Sequence, residues 1–177
     1  MSMMEGGKQI RLVEYDLSWP DQFATHAAAI GAALGDLALQ IEHIGSTSVP
    51  GLVAKDKVDI LLVVPSSADE PAYLFLMEAA GYHLRLREPH WHQHRLFSPP
   101  ERNANIHVVS RGCSEISRWL TFRDRLRSNP ADRDLYATTK SELASRRWRD
   151  TDAYAEAKSE VIERIIKWAQ SENDGDR

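Results

Sequence analysis

The residues best suited to chemistry are concentrated in one short stretch of the chain, between positions 42 and 64. Gly45 is followed by three hydroxyl side chains, Ser46, Thr47 and Ser48, directly after a short apolar segment. Glycine has no side chain, so a ligand can approach its backbone closely. If a helix begins at this turn, its first amide groups can donate hydrogen bonds to phosphate oxygens. The pattern predicts a phosphate-binding turn.

A single carboxylate, Asp59, interrupts the apolar run Val58 to Leu62, thirteen residues after Ser46. A buried carboxylate is costly unless a cation pairs with it or it is exposed at the end of a strand. Carboxylate oxygens are the ligands that Mg²⁺ prefers in proteins. The sequence therefore predicts a divalent metal, Mg²⁺ or Mn²⁺ rather than Zn²⁺, beside the phosphate-binding turn. The alternative is a plain polar turn followed by a capping or ion-paired aspartate.

Two histidines on predicted strands, His43 and His107, are candidate partners for Asp59. If their strands are neighbours, two imidazoles and one carboxylate can converge on a metal ion. Imidazole suits zinc, iron or nickel better than magnesium, which leaves the metal open. The histidines between positions 90 and 94 have an alternative interpretation, as neutral rings of an exposed hairpin without a metal.

Basic side chains on the predicted C-terminal helices are candidate phosphate ligands. Arg123 and Arg127 are four residues apart and share one helix face. Guanidinium groups bind phosphate in a bidentate manner. Lys140 and Tyr136, from the next helix, can close over the same ligand. The alternative is a solvated helix face that forms ion pairs with neighbouring carboxylates.

The elements that must position these residues follow from hydrophobic periodicity and from glycine and proline signals. The pattern predicts strands over residues 10–15, 39–44, 58–64, 83–87, 94–98 and 105–109. It predicts helices over residues 22–34, 69–80, 114–128, 132–144 and 152–170. The expected architecture is one α+β domain: a mixed sheet flanked by helices over about residues 1–110, a helical layer over 111–170, and a disordered tail over 171–177.

Composition limits the classes of function. The chain has 177 residues and a formal net charge of -4, so nucleic acid is not the expected partner. Cys113 is the single cysteine, which excludes an internal disulfide. No apolar run approaches 18 residues, and residues 1–9 lack a hydrophobic signal region, so we expect a cytoplasmic protein without a membrane partner.

Four segments resemble one known family. They are the opening segment Arg11 to Trp19, the string Glu42 to Leu52 with Ala54-Lys55 and Val58-Asp59-Ile60, the strand Asn105 to Val108, and the helical segment Phe122 to Arg127 with Tyr136 and Lys140. The pattern resembles the GrpB family, a group within the nucleotidyltransferase superfamily of polymerase-beta-like fold. The match covers most of the chain, and the central string is long enough to be specific.

The resemblance implies a nucleotidyltransferase-like fold with a nucleoside triphosphate or another phosphorylated small molecule as its partner. The superfamily pattern pairs Gly-Ser with two acids at alternate positions of the next strand, which hold two metal ions. Here Gly45, Ser46 and Asp59 match, whereas Leu61 replaces the second acid and His107 replaces a later one. These departures count against two-metal transfer.

The candidate site combines the residue chemistry with the resemblance. Asp59 and His107 are the candidate catalytic residues, and Asp59, His107 and His43 are the candidate metal ligands. The candidate phosphate- and nucleotide-binding residues are Gly45, Ser46, Thr47, Ser48, Lys55, Arg123, Arg127 and Lys140.

Three functions remain open at this point. The first is a metal-dependent nucleotidyltransferase with an unknown acceptor. The second is a catalytically inactive nucleotide- or metal-binding module, which Leu61 favours. The third is an interaction protein whose last helix presents an apolar surface.

Overall fold

The computed structural model describes residues 7–175. A five-stranded mixed sheet forms its centre, with the strand order β2-β3-β6-β5-β4. Only the pair β3 and β6 is parallel, and the other neighbours are antiparallel. The strands are β2 (Gln40–Ile44), β3 (Val58–Val64), β4 (His83–Glu88), β5 (His94–Ser98) and β6 (Ala104–Ser110).

Strand β3 lies between two neighbours and is buried on both faces, which explains its nearly continuous apolar sequence. Ile60 and Leu62 face one hydrophobic cluster, and Leu61 and Val63 face another. Asp59 is the one charged side chain of this strand. The central strand therefore carries the candidate carboxylate in its second position.

Helices α1 (Trp19–Leu34) and α2 (Glu70–Ala79) cover the first face of the sheet. They bury Ile30 and Tyr73 against the Ile60 side of β3. Gly35 ends α1 with a φ of 54°, a conformation that glycine adopts without strain. This face holds the larger part of the core.

A C-terminal layer of helices covers the opposite face. Asn129 caps the second of these helices, because its side chain accepts a hydrogen bond of 3.0 Å from the Asp132 amide, and Pro130 occupies the first position. The layer consists of α3 (Ser114–Ser128), α4 (Pro130–Ala144), α5 (Thr151–Ala157) and α6 (Ser159–Gly175). A two-stranded sheet, β1 (Lys8–Gln9) with β7 (Arg147–Trp148), ties the N-terminal segment to this layer.

The structure corrects two predicted elements. Residues 10–15 do not form a strand, and Val13 makes only an isolated bridge to Ala54. The helix predicted over residues 152–170 is two helices that meet at Lys158. Tyr154 packs into one hydrophobic cluster and Ile165 into another, so the two apolar faces point in different directions.

The C-terminal end also differs from the prediction. Helix α6 continues to Gly175, so a disordered tail does not begin at residue 171. The last two positions of the predicted tail, 176 and 177, lie outside the described residues. Within residues 7–175, no helix is both long enough and apolar enough to span a bilayer.

Candidate active site

The glycine of the predicted phosphate-binding turn lies directly against the central carboxylate. Ile44, at the end of β2, pairs with Asp59, so Gly45 begins the turn beside this aspartate. A Cβ atom placed on Gly45 would be 2.9 Å from Asp59 Oδ2, and the φ of Gly45 is 72°. Only glycine satisfies both conditions. The sequence prediction that the turn and Asp59 are neighbours agrees with this geometry.

The hydroxyl groups of the turn are not equivalent. Thr47 Oγ1 lies 2.9 Å from His43 Nε2, and Ser48 donates a 2.5 Å hydrogen bond to the carbonyl of Gly45. Ser46 lines two cavities, and Asp59 also lines both of them. Ser46 to Ser48 form a single 3-10 turn rather than the start of a longer helix, so the turn offers local amide groups without a long helix dipole.

The Asp59 carboxylate is held by two side chains of the parallel strand β6. Asn105 Nδ2 donates to Asp59 Oδ1 over 3.2 Å, and His107 Nε2 lies 3.0 Å from the same oxygen. Burial alone would raise the pKa of Asp59, but the hydrogen bonds from His107 and Asn105 outweigh it and lower this pKa. About 31% of the side chain is exposed, so a ligand can reach it.

The His107 ring continues into a chain of hydrogen-bonding groups. His107 Nδ1 lies 3.1 Å from His94 Nε2, and His94 Nδ1 lies 2.7 Å from Glu88 Oε2. Trp119 packs against both imidazoles, with centroid distances of 5.7 Å to His107 and 6.5 Å to His94. The three links from Asp59 to Glu88 need three protons, whereas two neutral imidazoles supply two. While both rings are neutral, one of the three links therefore lacks its hydrogen, and the pair of rings has room for one more proton.

His43 does not join this group, which corrects the predicted metal triad. His43 pairs with Ile60, and successive residues of a strand point to opposite faces, so its ring lies on the other side of the sheet from Asp59. There it stacks on Phe23 with a centroid distance of 4.9 Å. Burial, followed by the charge of Arg127, lowers the pKa of His43 to about 4.

The three histidines between positions 90 and 94 have different environments. His90 and His92 are exposed, as the interpretation of an exposed hairpin requires. His94 is buried and belongs to the chain that reaches Asp59. The prediction that all three are exposed is therefore wrong for His94.

Arg123 binds the strand that precedes the turn, and Arg127 binds the turn itself. Neither residue lines a cavity around Asp59. Arg123 Nη1 donates to Glu42 over 2.7 Å, and its Nε donates to Asp124 over 2.8 Å. Arg127 Nε donates to the carbonyl of Ser48 over 2.8 Å. Both guanidinium groups thus bind protein oxygens, and the structure does not place them as free phosphate ligands.

Two cavities meet at Asp59, and Ser46 and Lys158 also line both. We call the smaller one the lysine cavity; its volume is about 150 Å³. It is lined by Leu12, Ser46, Thr47, Ala54, Lys55, Lys57, Asp59, Asn105, Lys140, Tyr154 and Lys158. Lys55 and Lys140, both predicted to bind phosphate, thus lie in one cavity with Asp59.

We call the larger cavity the aromatic cavity; its volume is about 410 Å³. Its walls combine the catalytic candidates with apolar side chains of the helical layer. It is lined by Ile44, Gly45, Ser46, Asp59, His107, Glu115, Arg118, Trp119, Phe122, Tyr136, Ala155, Lys158, Ile162 and Ile166. An apolar pocket with a few convergent polar groups is typical of small-molecule sites.

Comparisons with known proteins show the family of this chain. The family model described as GrpB protein matches residues 9–168. The chain belongs to the GrpB family. A UPF0157 protein of Halalkalibacterium halodurans is 52% identical over 162 residues, which cover 92% of this chain and 83% of that protein. A crystal structure of the conserved protein GrpB from Enterococcus faecalis has a TM-score of 0.81 and 33% identity, over 92% of this chain and 99% of that chain.

The family match confirms the resemblance to the GrpB family, and the strand order with the helices on both faces confirms the expected α+β class, a mixed sheet with a helical layer. A more distant likeness, to the Cid1 poly(U) polymerase with Mg 3'-dATP bound, has a TM-score of 0.48 and 11% identity, over 70% of this chain and 42% of that chain.

This site offers few protein ligands to the divalent metal that the sequence predicts. Within residues 7–175, no three His, Cys, Asp or Glu side chains are grouped so that they could hold a metal ion. Mg²⁺, however, is usually bound by one or two carboxylates together with phosphate oxygens of the substrate. Asp59 would therefore serve as one ligand of a divalent cation whose other ligands are phosphate oxygens of a bound molecule.

Sequence reasoning missed two members of the carboxylate's surroundings. Asn105 precedes His107 by two residues and must share its strand face, so the strand period alone could have identified it. His94 gave no such signal, because its approach to His107 depends on how β5 pairs with β6.

Sequence reasoning also missed Tyr154 and Lys158, which complete the lysine cavity. Lys158 lies at the break between α5 and α6, and Tyr154 lies one helical turn before it in α5. The helical pattern over residues 152–170 did not indicate the break. The signal that could have found them is therefore tertiary rather than local.

Proposed function

We propose that this protein binds a nucleotide through its phosphates and a divalent cation, with Asp59 as the residue that holds the cation. The observation that carries the proposal is the position of Asp59: its carboxylate contacts Gly45 of the turn and lines both the lysine cavity and the aromatic cavity. A carboxylate with a lowered pKa, beside hydroxyl groups and ammonium groups, suits a cation bridged to phosphate oxygens.

The two cavities suit different parts of a nucleotide. The lysine cavity offers positive charge for phosphate oxygens, and the aromatic cavity offers Trp119 and Phe122 for the nucleoside. Both parts are reached from Ser46 and Asp59, which line both cavities. This division supports a nucleoside triphosphate, or a similar phosphorylated molecule, as the ligand.

The proposed reaction is nucleotidyl transfer to an acceptor hydroxyl group. A new bond forms between the acceptor oxygen and the α-phosphorus, and the bond from this phosphorus to pyrophosphate breaks. The proton of the hydroxyl passes to the imidazole of His107, which is linked to the imidazole of His94. The protein then contributes positioning and charge stabilisation rather than covalent chemistry.

The test pairs binding with product analysis. A panel of nucleoside triphosphates with Mg²⁺, Mn²⁺ or Zn²⁺ is expected to raise the melting temperature, because the ligand binds the folded state. Asp59→Ala should abolish turnover and metal-dependent binding while the fold stays intact. Full turnover by Asp59→Ala would refute the proposed role of this carboxylate.

A second candidate function is a nucleotide-binding module without transfer chemistry, and Leu61 favours it. The side chain at this second-acid position is fully buried and packs with Ile44, Val63 and Val109. A two-metal clamp needs another carboxylate there. Nucleotide binding without any product, under all metals of the panel, would support the module over the enzyme.

The interaction-protein hypothesis receives less support from the last helix. Val161 and Ile165 of α6 are buried against the helical layer. Among the described residues of α6, Trp168 is the one large apolar side chain that is exposed, at 39%. A single exposed apolar side chain is ordinary for a protein surface and does not make a binding patch.

A further inference from the structure

The lysine cavity has a large excess of positive charge. Lys55, Lys57, Lys140 and Lys158 line it, whereas Asp59 is its one carboxylate. Across the described part of the chain, every ion pair is made by an arginine or a histidine. The ammonium groups of this cavity are therefore not neutralised by protein carboxylates at contact distance.

Lys140 is the least accessible of these lysines, with 1% of its surface exposed. It lies on the same face of α4 as Tyr136, and its ammonium group is 5.1 Å from the centroid of that ring. It also donates a hydrogen bond to the carbonyl of Val53. A buried ammonium group without a carboxylate partner is costly, and such groups are found where a ligand supplies the opposite charge.

Lys158 and Lys55 lie against one aromatic ring, that of Tyr154. The Lys158 ammonium is 4.7 Å from the ring centroid, and the Lys55 ammonium is 5.8 Å from it. The loop that carries Lys55 is pinned on both sides, because Ala54 bridges to Val13 and Asp56 accepts a 2.9 Å hydrogen bond from Trp19. The fold thus fixes the backbone from which the Lys55 side chain extends.

The Tyr154 hydroxyl, which lacks a hydrogen-bond partner, is an observation independent of the lysines. Tyr154 lines the lysine cavity, and 1% of its surface is exposed. Its hydroxyl is buried without a hydrogen-bond partner, the one such side-chain group among the described residues. Buried polar groups are normally paired, so an unpaired one on a residue that lines a charged cavity leaves a hydrogen bond for a ligand, an ion or a water molecule to complete.

We propose that Lys55, Lys140, Lys158 and the Tyr154 hydroxyl form a metal-independent binding site for a polyphosphate chain. In this site the ammonium groups replace the second cation that Leu61 excludes. The inference rests on the proposed function in taking phosphoryl oxygens as the ligand. It goes beyond that function in assigning the anchoring of the phosphates to lysines, without a metal.

The size and charge of the cavity favour two or more linked phosphoryl groups over a single small anion. A volume of about 150 Å³ is roughly ten times the minimum of about 10–15 Å³ that holds one water molecule, so the cavity can hold more than one small polar group. Several ammonium groups face one carboxylate in this space, so an anion of multiple charge neutralises them better than a singly charged one. The nucleoside would remain outside, towards the aromatic cavity.

The test is calorimetric titration of the full chain with sodium tripolyphosphate in EDTA, with inorganic phosphate as the comparison ligand. We expect tripolyphosphate to bind without metal, and at least about tenfold more tightly than phosphate. Lys158→Met should weaken this binding by about tenfold or more, because hydrogen bonds to charged groups are strong. The matched control is Lys167→Met, an exposed lysine of α6, and it should leave the affinity unchanged.

Two further variants keep the test decisive if Lys158→Met fails to fold. Tyr154→Phe removes a hydroxyl that has no partner, so the fold should be retained while tripolyphosphate binding weakens by about fivefold. Asp59→Asn removes the one negative charge of the cavity and should strengthen binding in EDTA. If Tyr154 and Asp59 had only a structural role, neither variant would change the affinity for tripolyphosphate.

The outcomes separate this inference from the proposed function. If tripolyphosphate binds only with Mg²⁺, and Asp59→Asn abolishes that binding, the lysine site is refuted and the metal-dependent function stands. If tripolyphosphate binds in EDTA while no nucleotide binds with any metal, the lysine site stands and the nucleotide function fails. Equal affinities of wild type and Lys158→Met also overturn the lysine site.

Discussion

The carboxylate of Asp59 lies so close to Gly45 that a Cβ atom on this glycine would come within 2.9 Å of Asp59 Oδ2. The contact joins the end of β2 to the start of β3, and it places the turn and the acid in one cleft. Because the turn offers hydrogen-bond donors and the acid offers a cation ligand, this single approach underlies the proposed chemistry.

Substitution of this glycine should cost more stability than substitution of a comparable one. Gly45 and Gly51 both have positive φ values, of 72° and 81°, but nothing lies within 4 Å of a Cβ atom on Gly51. We expect Gly51→Ala to lower the free energy of unfolding by about 1 kcal/mol and Gly45→Ala by about 3 kcal/mol. Urea unfolding of both variants measures the difference, and equal losses would contradict a tight contact with Asp59.

The ring of His43 should stay neutral at physiological pH. Burial and the charge of Arg127 lower its pKa to about 4, from an ordinary value of 6.5. The unfolded chain therefore binds a proton between pH 6.5 and 4 that the folded protein excludes, so this contribution to stability is present above pH 6.5 and is lost as the pH falls to 4. Nitrogen NMR of the imidazole should show the neutral form down to pH 5. A ring that becomes protonated between pH 6 and 7 would refute the prediction.

Lys140 should give stability an unusual dependence on alkaline pH. Burial, followed by the charges of Lys158 and Lys55, lowers its pKa to about 7, from 10.5. Between these values the unfolded chain binds a proton that the folded protein does not. Stability therefore rises with pH in this window, by at most about 1.4 kcal/mol per pH unit from this group.

The check for Lys140 is the unfolding free energy of wild type and Lys140→Met, measured from pH 7 to pH 10. Relative to wild type, the methionine variant should be most stable near pH 7 and should lose that advantage as the pH rises. Lys167→Met is the control, because Lys167 is exposed on α6. Parallel curves for wild type and Lys140→Met would show that the buried ammonium is not penalised.

A second acid cannot be added to β3 without loss of the core. Leu61 is fully buried among Ile44, Val63 and Val109, so Leu61→Asp should lower the free energy of unfolding by about 3 kcal/mol or more. Leu61→Met, which conserves volume, should cost less than about 1.5 kcal/mol. Thermal and urea unfolding compare the two variants. Wild-type stability of Leu61→Asp would show that a carboxylate is tolerated there.

Much of the fold could be predicted from local patterns. The bounds of β3, β5 and α3 agree with the sequence prediction residue by residue, because apolar runs and periodic faces end there at clear turn signals. The two-residue strands β1 and β7 were not predicted, since Lys8 and Trp148 pair across most of the chain. Local propensity carries no information about such a distant partner.

The sequence predicts most of the residues that form the site, but not the direction in which each side chain points. Asp59, Ser46 and His107 meet as the strand order requires, whereas His43 points away. The difference is one residue of register between β2 and β3, and a shift of one residue moves a side chain to the opposite face. The sequence shows which residues lie on each strand, but it does not show this register.

The central claim is that Asp59 and the turn at Gly45 form one pocket for a phosphate-bound cation, and one calorimetric comparison tests it most directly. Wild type and Asp59→Asn are titrated with a nucleoside triphosphate, each with Mg²⁺ and with EDTA. The account predicts that Mg²⁺ strengthens binding to wild type by about tenfold or more and that it gives Asp59→Asn no such gain. An equal effect of Mg²⁺ on both proteins, or no binding of any nucleotide to wild type, would contradict it.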